Sequence, residues 1–177
     1  MGIVYTLGKA VFAILVIGLL IHHFAYTLFV VSGPSMEPNF HDGEILIASR
    51  LNLWTGKFNR GDPMILRFPG DPKHKKYIKR LIGMPGDEIL IKNDYVYING
   101  KRLYEGYLEE GTPTLPDNPA YTHLKLQEDE YYLLGDNRLN SSDSRTWGVA
   151  NKEDLIGPVR WIIWPPQYFS AVAPFSY

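Results

Sequence analysis

The stretch "YIKRLIGMPGDEILIKNDYVYING", Tyr77 to Gly100, decides the fold. Its first seven residues have strand character, and a period of two puts Tyr77, Lys79 and Leu81 on one face and Ile78, Arg80 and Ile82 on the other. A Pro-Gly turn leads to a second run, "DEILIK". Tyr95 to Tyr104 then reads as a hairpin, with Asn99-Gly100 supplying the φ > 0 positions of a tight turn. Outward from this core the pattern repeats. "EILIAS" and "PMILRF" precede it, "EYYLLG" and "VRWIIW" follow it, and clusters of Gly, Pro, Asn and Asp punctuate the intervals. Strands this dense, without intervening helices, predict a mainly β fold: an antiparallel sandwich or partly closed barrel. Leu108 to His123, "LEEGTPTLPDNPAYTH", reads as a long exposed loop.

The N-terminal part differs. From Ala10 to Val31 there are 22 residues without Asp, Glu, Lys or Arg. As a helix rising ~1.5 Å per residue this run reaches roughly 33 Å, enough to span a hydrocarbon core of about 30 Å. His22 and His23 are its polar interruption: either the helix tilts, with neutral imidazoles near an interface, or its well-buried part ends near Ile21. A cleaved signal peptide with Val11 to Ile21 as its apolar core is the competing reading, opposed by the run's unbroken continuation into the motif that follows. Lys9 precedes the run, and only acids follow until Arg50. The positive-inside tendency therefore sets the N-terminus in the cytoplasm and the rest outside. Residues 1–31 read as a short cytoplasmic N-terminus with a transmembrane anchor, and 32–177 as an extracytoplasmic β-rich domain.

A chain of 177 residues suits one domain with a real core, and a net charge of −1 gives no bulk attraction to nucleic acid. With no cysteine there is no disulfide framework, thiolate metal site or Cys nucleophile. The five histidines show no paired-ligand spacing, so no metal centre is expected, and the chemistry read here calls for no cofactor.

A protein nucleophile must then be Ser, Thr, Lys or a carboxylate, and the base can be a lysine whose pKa burial has lowered. Such a lysine belongs on an apolar strand. Alternation alone does not choose between Lys79 and Arg80. Chemistry favours Lys79, because arginine keeps its proton at working pH. The bland alternative is an edge strand with both side chains in water. "KHKK", Lys73 to Lys76, reads as a solvated loop or as a patch for an anionic lipid or nucleic acid. "GDNRLNSSDSRTWG", Gly135 to Gly148, holds two Asp and two Arg that can pair and fix one loop shape.

Together these blocks resemble the type I signal peptidases, membrane-anchored Ser-Lys endopeptidases. "SGPSMEP" resembles their nucleophile block, "RGDPMILRFP" an apolar strand block, "YIKRLIGMPGDEI" the lysine block and "GDNRLNSSDSRTWG" the last block. "IGPVRWIIWPP" resembles the closing strand. All occur in the family's order, over essentially the whole chain.

The resemblance implies Ser35 as nucleophile through an acyl-enzyme, and Lys79 as the neutral base that also activates the deacylating water. It implies Ser141 as the hydroxyl that orients the lysine by a hydrogen bond, with Asp143, Arg145 and Asp136 shaping the site. The Ser35 backbone N–H would form part of the oxyanion hole. In some members a hydroxyl two residues before the nucleophile completes it; Gly33 stands there and brings no side chain, and Ser32 is one residue too early. By position, Val31, Met36, Phe40 and Ile78 are pocket candidates. The substrates implied are secreted preproteins cut after an A-x-A-like signal peptide. The partners are the lipid bilayer and possible secretion machinery, and the location a bacterial plasma membrane crossed once, with the membrane of an organelle of bacterial descent as the alternative. Two alternatives stand beside this reading. One is a self-cleaving Ser-Lys protease, disfavoured by the N-terminal anchor. The other is a catalytically inactive, anchored preprotein-binding module, disfavoured by the intact Ser35, Lys79, Ser141 and Asp143 set.

Overall fold

The computed structural model describes residues 2–69, 72–73 and 75–173; within the first helix, side chains are described for residues 5–19 and 24–25. That helix, α1, runs Gly2–Ala25. Strand β1 follows at once (Tyr26–Val30), then β2 (Ile45–Ser49), the short helix α2 (Arg50–Trp54) and β3 (Pro63–Arg67). Next come β4 (Lys76–Gly83), β5 (Glu88–Lys92), β6 (Tyr95–Ile98), β7 (Lys101–Arg102), β8 (His123–Lys125) and β9 (Glu130–Leu134). The one-turn helix α3 (Ser144–Trp147) precedes β10 (Ala150–Asn151), β11 (Leu155–Trp164) and β12 (Ser170–Ala171).

All pairings are antiparallel. The larger sheet has the order β1-β2-β11-β3-β4-β9-β10, with β12 added to β11, and it does not close: no pairing joins β1 to β10 among the described residues. The smaller sheet is β7-β6-β5-β8. The chain is therefore mainly β and antiparallel, with a curled open sheet. Asn99 and Gly100 adopt φ of 51° and 78°, which is what the tight β6–β7 turn needs. Pro63 opens β3, where its missing N–H removes no interior ladder bond. Three apolar clusters form the core: one around Met36, Leu46 and Ile156, one around Met64, Leu81 and Leu133, and one between the sheets around Ile82, Ile89 and Leu134.

One expectation is corrected, one is qualified, and one alternative falls. The helix does not run to Val31; it ends at Ala25, and Tyr26–Val30 pair residue by residue with Ser49–Ile45. An apolar run rich in aromatic and β-branched residues suits either element, and an available strand edge decides between them. Leu108–His123 is the long exposed loop expected, with one 3-10 turn at Pro119–Tyr121, but it is pinned at two points: Thr114 is 1% exposed and bonded to the Arg138 guanidinium, and Arg145 donates to the Leu115 carbonyl at 3.2 Å. β4 is no edge strand, since β3 and β9 flank it.

Among the described residues no helix is long and apolar enough to cross a membrane. The side chains of residues 20–23, on which the expected span and its two histidines depend, lie outside the described set, as does His74. The described side chains of α1 are exposed on all sides up to Phe24, with Ala25 buried where the helix meets the sheet: Tyr5, Leu7, Phe12, Ile14, Leu15 and Leu19 each keep 60% or more of their surface. One face of the adjoining sheet edge is also apolar and exposed, with Leu28, Val30, Trp161 and Trp164 the most prominent.

Candidate active site

Ser35 lies on the loop after β1 and Lys79 in the middle of β4. The turn that presents the serine needs φ +86° at Gly33, and the Asp42 carboxylate fixes it by accepting the Gly33 N–H at 2.7 Å. Met36, next to the serine, is 0% exposed and anchors the loop in the core with Val31, Phe40 and Ile78. These four pocket candidates thus meet in one buried cluster beneath the serine.

Lys79 is 2% exposed, and its Nζ lies 2.6 Å from Ser35 Oγ. Burial pushes its pKa down from the ordinary 10.5 to about 8, while the Asp143 and Asp136 carboxylates oppose the shift. About one lysine in ten is then neutral at pH 7, against about one in three thousand at the ordinary value.

The last block holds the other side of the site. Asp143 and Arg145 are both buried and doubly paired, Nε to Oδ1 and Nη2 to Oδ2 at 2.8 Å each, and Asp143 also accepts the Gly135 N–H at 3.0 Å. Asp136 accepts from Arg80 Nε at 2.7 Å and again from its Nη2, and from Asn39 at 2.9 Å. The loop's charges are therefore only half self-paired, because Arg138 turns instead to Glu105.

Ser141 stands apart from the lysine. Its Oγ is buried and makes no hydrogen bond, so the expected bond to Lys79 is not formed in this state. It is packed instead against Gly135, where a Cβ would lie 2.1 Å from Ser141 Oγ and 2.6 Å from the Ser35 carbonyl oxygen. Only glycine lets these three residues meet.

Sequence reasoning missed several groups. Asn137 ties the serine loop down from behind, its N–H donating to the Ser35 carbonyl at 3.1 Å and its Nδ2 to the Pro34 carbonyl at 3.2 Å. Its place beside Asp136 in the quoted block was the available signal. Asp42, Asn39 and the Arg80–Asp136 pair carried none, since their partners lie 9, 97 and 56 residues away. The Gly33 N–H belongs to Asp42, so it adds nothing to an oxyanion hole. The Ser35 N–H makes no hydrogen bond among the described residues, and no metal-binding cluster occurs among them.

A serine hydroxyl held against a buried, partly neutral amine on an antiparallel scaffold is the geometry of a serine hydrolase. Comparison with known proteins narrows the class. Residues 4–164 match the family described as signal peptidase, peptidase S26. Signal peptidase I P of Bacillus subtilis subsp. natto is 37% identical over 163 residues, covering 89% of this chain and 87% of that one. Signal peptidase I of Bacillus licheniformis is 38% identical over 166 residues, with shares of 89% and 87%. A crystal structure of a signal peptidase I from Enterococcus faecalis is 29% identical, covers 56% of this chain and 94% of that one, and has a TM-score of 0.48. The chain belongs to the signal peptidase, peptidase S26, family. Its class is that of a serine endopeptidase.

Proposed function

We propose that this protein is a membrane-anchored signal peptidase I that cuts signal peptides from secreted preproteins with Ser35 as nucleophile and Lys79 as base. The 2.6 Å approach of Lys79 Nζ to Ser35 Oγ carries the reading. Neutral Lys79 takes the hydroxyl proton as Ser35 Oγ attacks the scissile carbonyl, gives it to the leaving amine, and then draws a proton from the water that resolves the acyl-enzyme. The Ser35 N–H donates to the developing oxyanion. Ser141, a buried hydroxyl with no partner, accepts one N–H of neutral Lys79 and orients its lone pair toward Ser35. An unpartnered buried hydroxyl is destabilising, which favours that step. The Asp143–Arg145 and Asp136–Arg80 pairs hold both flanks. The cluster of Val31, Met36, Phe40 and Ile78 forms the apolar floor on which small residues of an A-x-A-like site rest.

α1 is the anchor. Its 24 residues amount to about 36 Å at ~1.5 Å each, and its all-round apolar exposure suits lipid. The apolar face of β1 and β11 continues that surface and lets the domain lie against a bacterial plasma membrane, N-terminus in the cytoplasm and catalytic domain outside. Enzyme and signal peptide are then concentrated in one layer.

The test is cleavage of a model preprotein by purified wild type, Ser35→Ala and Lys79→Ala. Each variant should lose at least about 10⁴-fold in kcat/KM while still inserting and folding. Retained cleavage in either one overturns the assignment.

A further inference from the structure

Away from the catalytic pair, the sheet edge where α1 enters carries a cleft of about 790 Å³. Strand register assembles its walls. Tyr26 pairs with Ser49, so Arg50 and the rest of α2 stand beside the end of α1. Leu155 pairs with Leu66 and Arg67 with Lys76, which brings the start of β11 and the adjoining ends of β3 and β4 to the same edge. Four cations line the cleft (Arg50, Arg67, Lys76 and Lys152), against the two anions Asp129 and Glu153. Lys152 lies 3.7 Å from Asp129, and Arg67 donates to the Glu153 backbone carbonyl at 3.0 Å. Neither Arg50 nor Lys76 has an ion-pair partner among the described residues. Arg50 is partly buried, with Leu53 and Leu155 in the same wall, where a charge without a partner is costly until an anion supplies one. On the same short helix Leu51 and Trp54 are 44% and 64% exposed. The basic run Lys73–Lys76, unused by the catalytic site, ends at this cleft.

We propose that the cleft binds the phosphate headgroup of an anionic phospholipid, with Arg50 and Lys76 on the phosphate and Trp54 at the acyl boundary. The inference rests on α1 being a membrane anchor, which sets the cleft at headgroup level. Free phosphate would satisfy the same cations. The exposed indole and leucine, continuous with α1, assign the source to lipid, because an indole has an apolar body and a polar edge suited to that depth. The bound headgroup holds the domain at one height and tilt over the bilayer.

The test uses the full-length protein in neutral detergent, read by tryptophan fluorescence, with Trp54→Phe to locate the signal. Dihexanoyl phosphatidylglycerol should produce a saturable change that dihexanoyl phosphatidylcholine does not. Arg50→Gln with Lys76→Gln should weaken it about 25-fold, roughly fivefold for each cation. Unchanged cleavage of a short soluble peptide certifies the fold of the double variant; if that is lost, the two single variants, each expected at about fivefold, carry the test. No change with phosphatidylglycerol, equal saturation by phosphatidylcholine, or variants that titrate like wild type overturn the proposal. Inorganic phosphate binding as tightly as the lipid overturns its lipid source. Flotation of the wild type with zwitterionic vesicles tests the anchor separately: failure there breaks the reading of α1, whereas flotation with unchanged variant titrations breaks only the cleft.

Discussion

Lys79 and Arg80 are neighbours on β4, 2% and 5% exposed, and the strand turns them to opposite faces. Arg80 meets a carboxylate there. Asp136 takes two of its N–H groups, the Gly61 carbonyl a third at 2.7 Å, and the Tyr107 ring covers the guanidinium at 4.1 Å. Lys79 meets a hydroxyl instead. The carboxylates that could hold it charged are already committed, Asp143 to Arg145 and Asp136 to Arg80. Burial with a partner locks a charge in place, and burial without one makes the proton easier to lose. The two arginines thus act on the lysine indirectly, by occupying its potential partners.

The comparison is most directly broken at Lys79. Lys79→Met should lose at least about 10⁴-fold in kcat/KM, and Lys79→Arg should be as inactive, since arginine gives no neutral base. The same methionine should make the protein more stable. The folded pKa of about 8 lies below the ordinary 10.5, so at pH 7 the unfolded chain holds the lysine's charge in water while the folded one holds it buried. The wild type is therefore penalised by about 3 kcal/mol below pH 8 and recovers that stability as pH rises from about 8 to 10.5. Denaturant unfolding at pH 7 and pH 10.5 should show the gain of Lys79→Met at the first and its loss at the second; equal stabilities at pH 7 would break the account.

Arg80→Met should do the opposite, destabilising by about 3–5 kcal/mol because Asp136 is left buried without its cation. Adding Asp136→Leu should restore most of that loss in the same unfolding measurement. Smaller again is the pH effect on the wild type. Because the proposed base works deprotonated, kcat/KM should fall about tenfold for each pH unit below about 8 and level off above it, in a pH profile on a soluble peptide. The smallest effect is at the clamp behind the serine: Asn137→Ala removes the bond to the Pro34 carbonyl and should cost about 1 kcal/mol in stability and up to roughly tenfold in kcat/KM.

Much of the molecule was legible where the physics is local. Alternation, turn chemistry and proline placement marked β2 to β6, β9 and the end of β11, and the choice of Lys79 over Arg80 followed from what arginine cannot do. The hidden parts depend on distant partners. β1 is concealed in an apolar run that reads as helix until β2 offers an edge. The bond from Arg138 that pins the loop at Thr114, and the packing of Ser141 against Gly135, are contacts that no local pattern announces.

By itself the sequence determined the chemistry available: no thiol, no metal-ligand spacing, a serine on a glycine-proline turn and a lysine on an apolar strand. Only the tertiary structure decided what that lysine would be. It closed the 44 residues between Ser35 and Lys79 to 2.6 Å and assigned each nearby carboxylate to an arginine. A pKa depends on burial and on which charges remain unpaired nearby, and neither exists until the chain has folded.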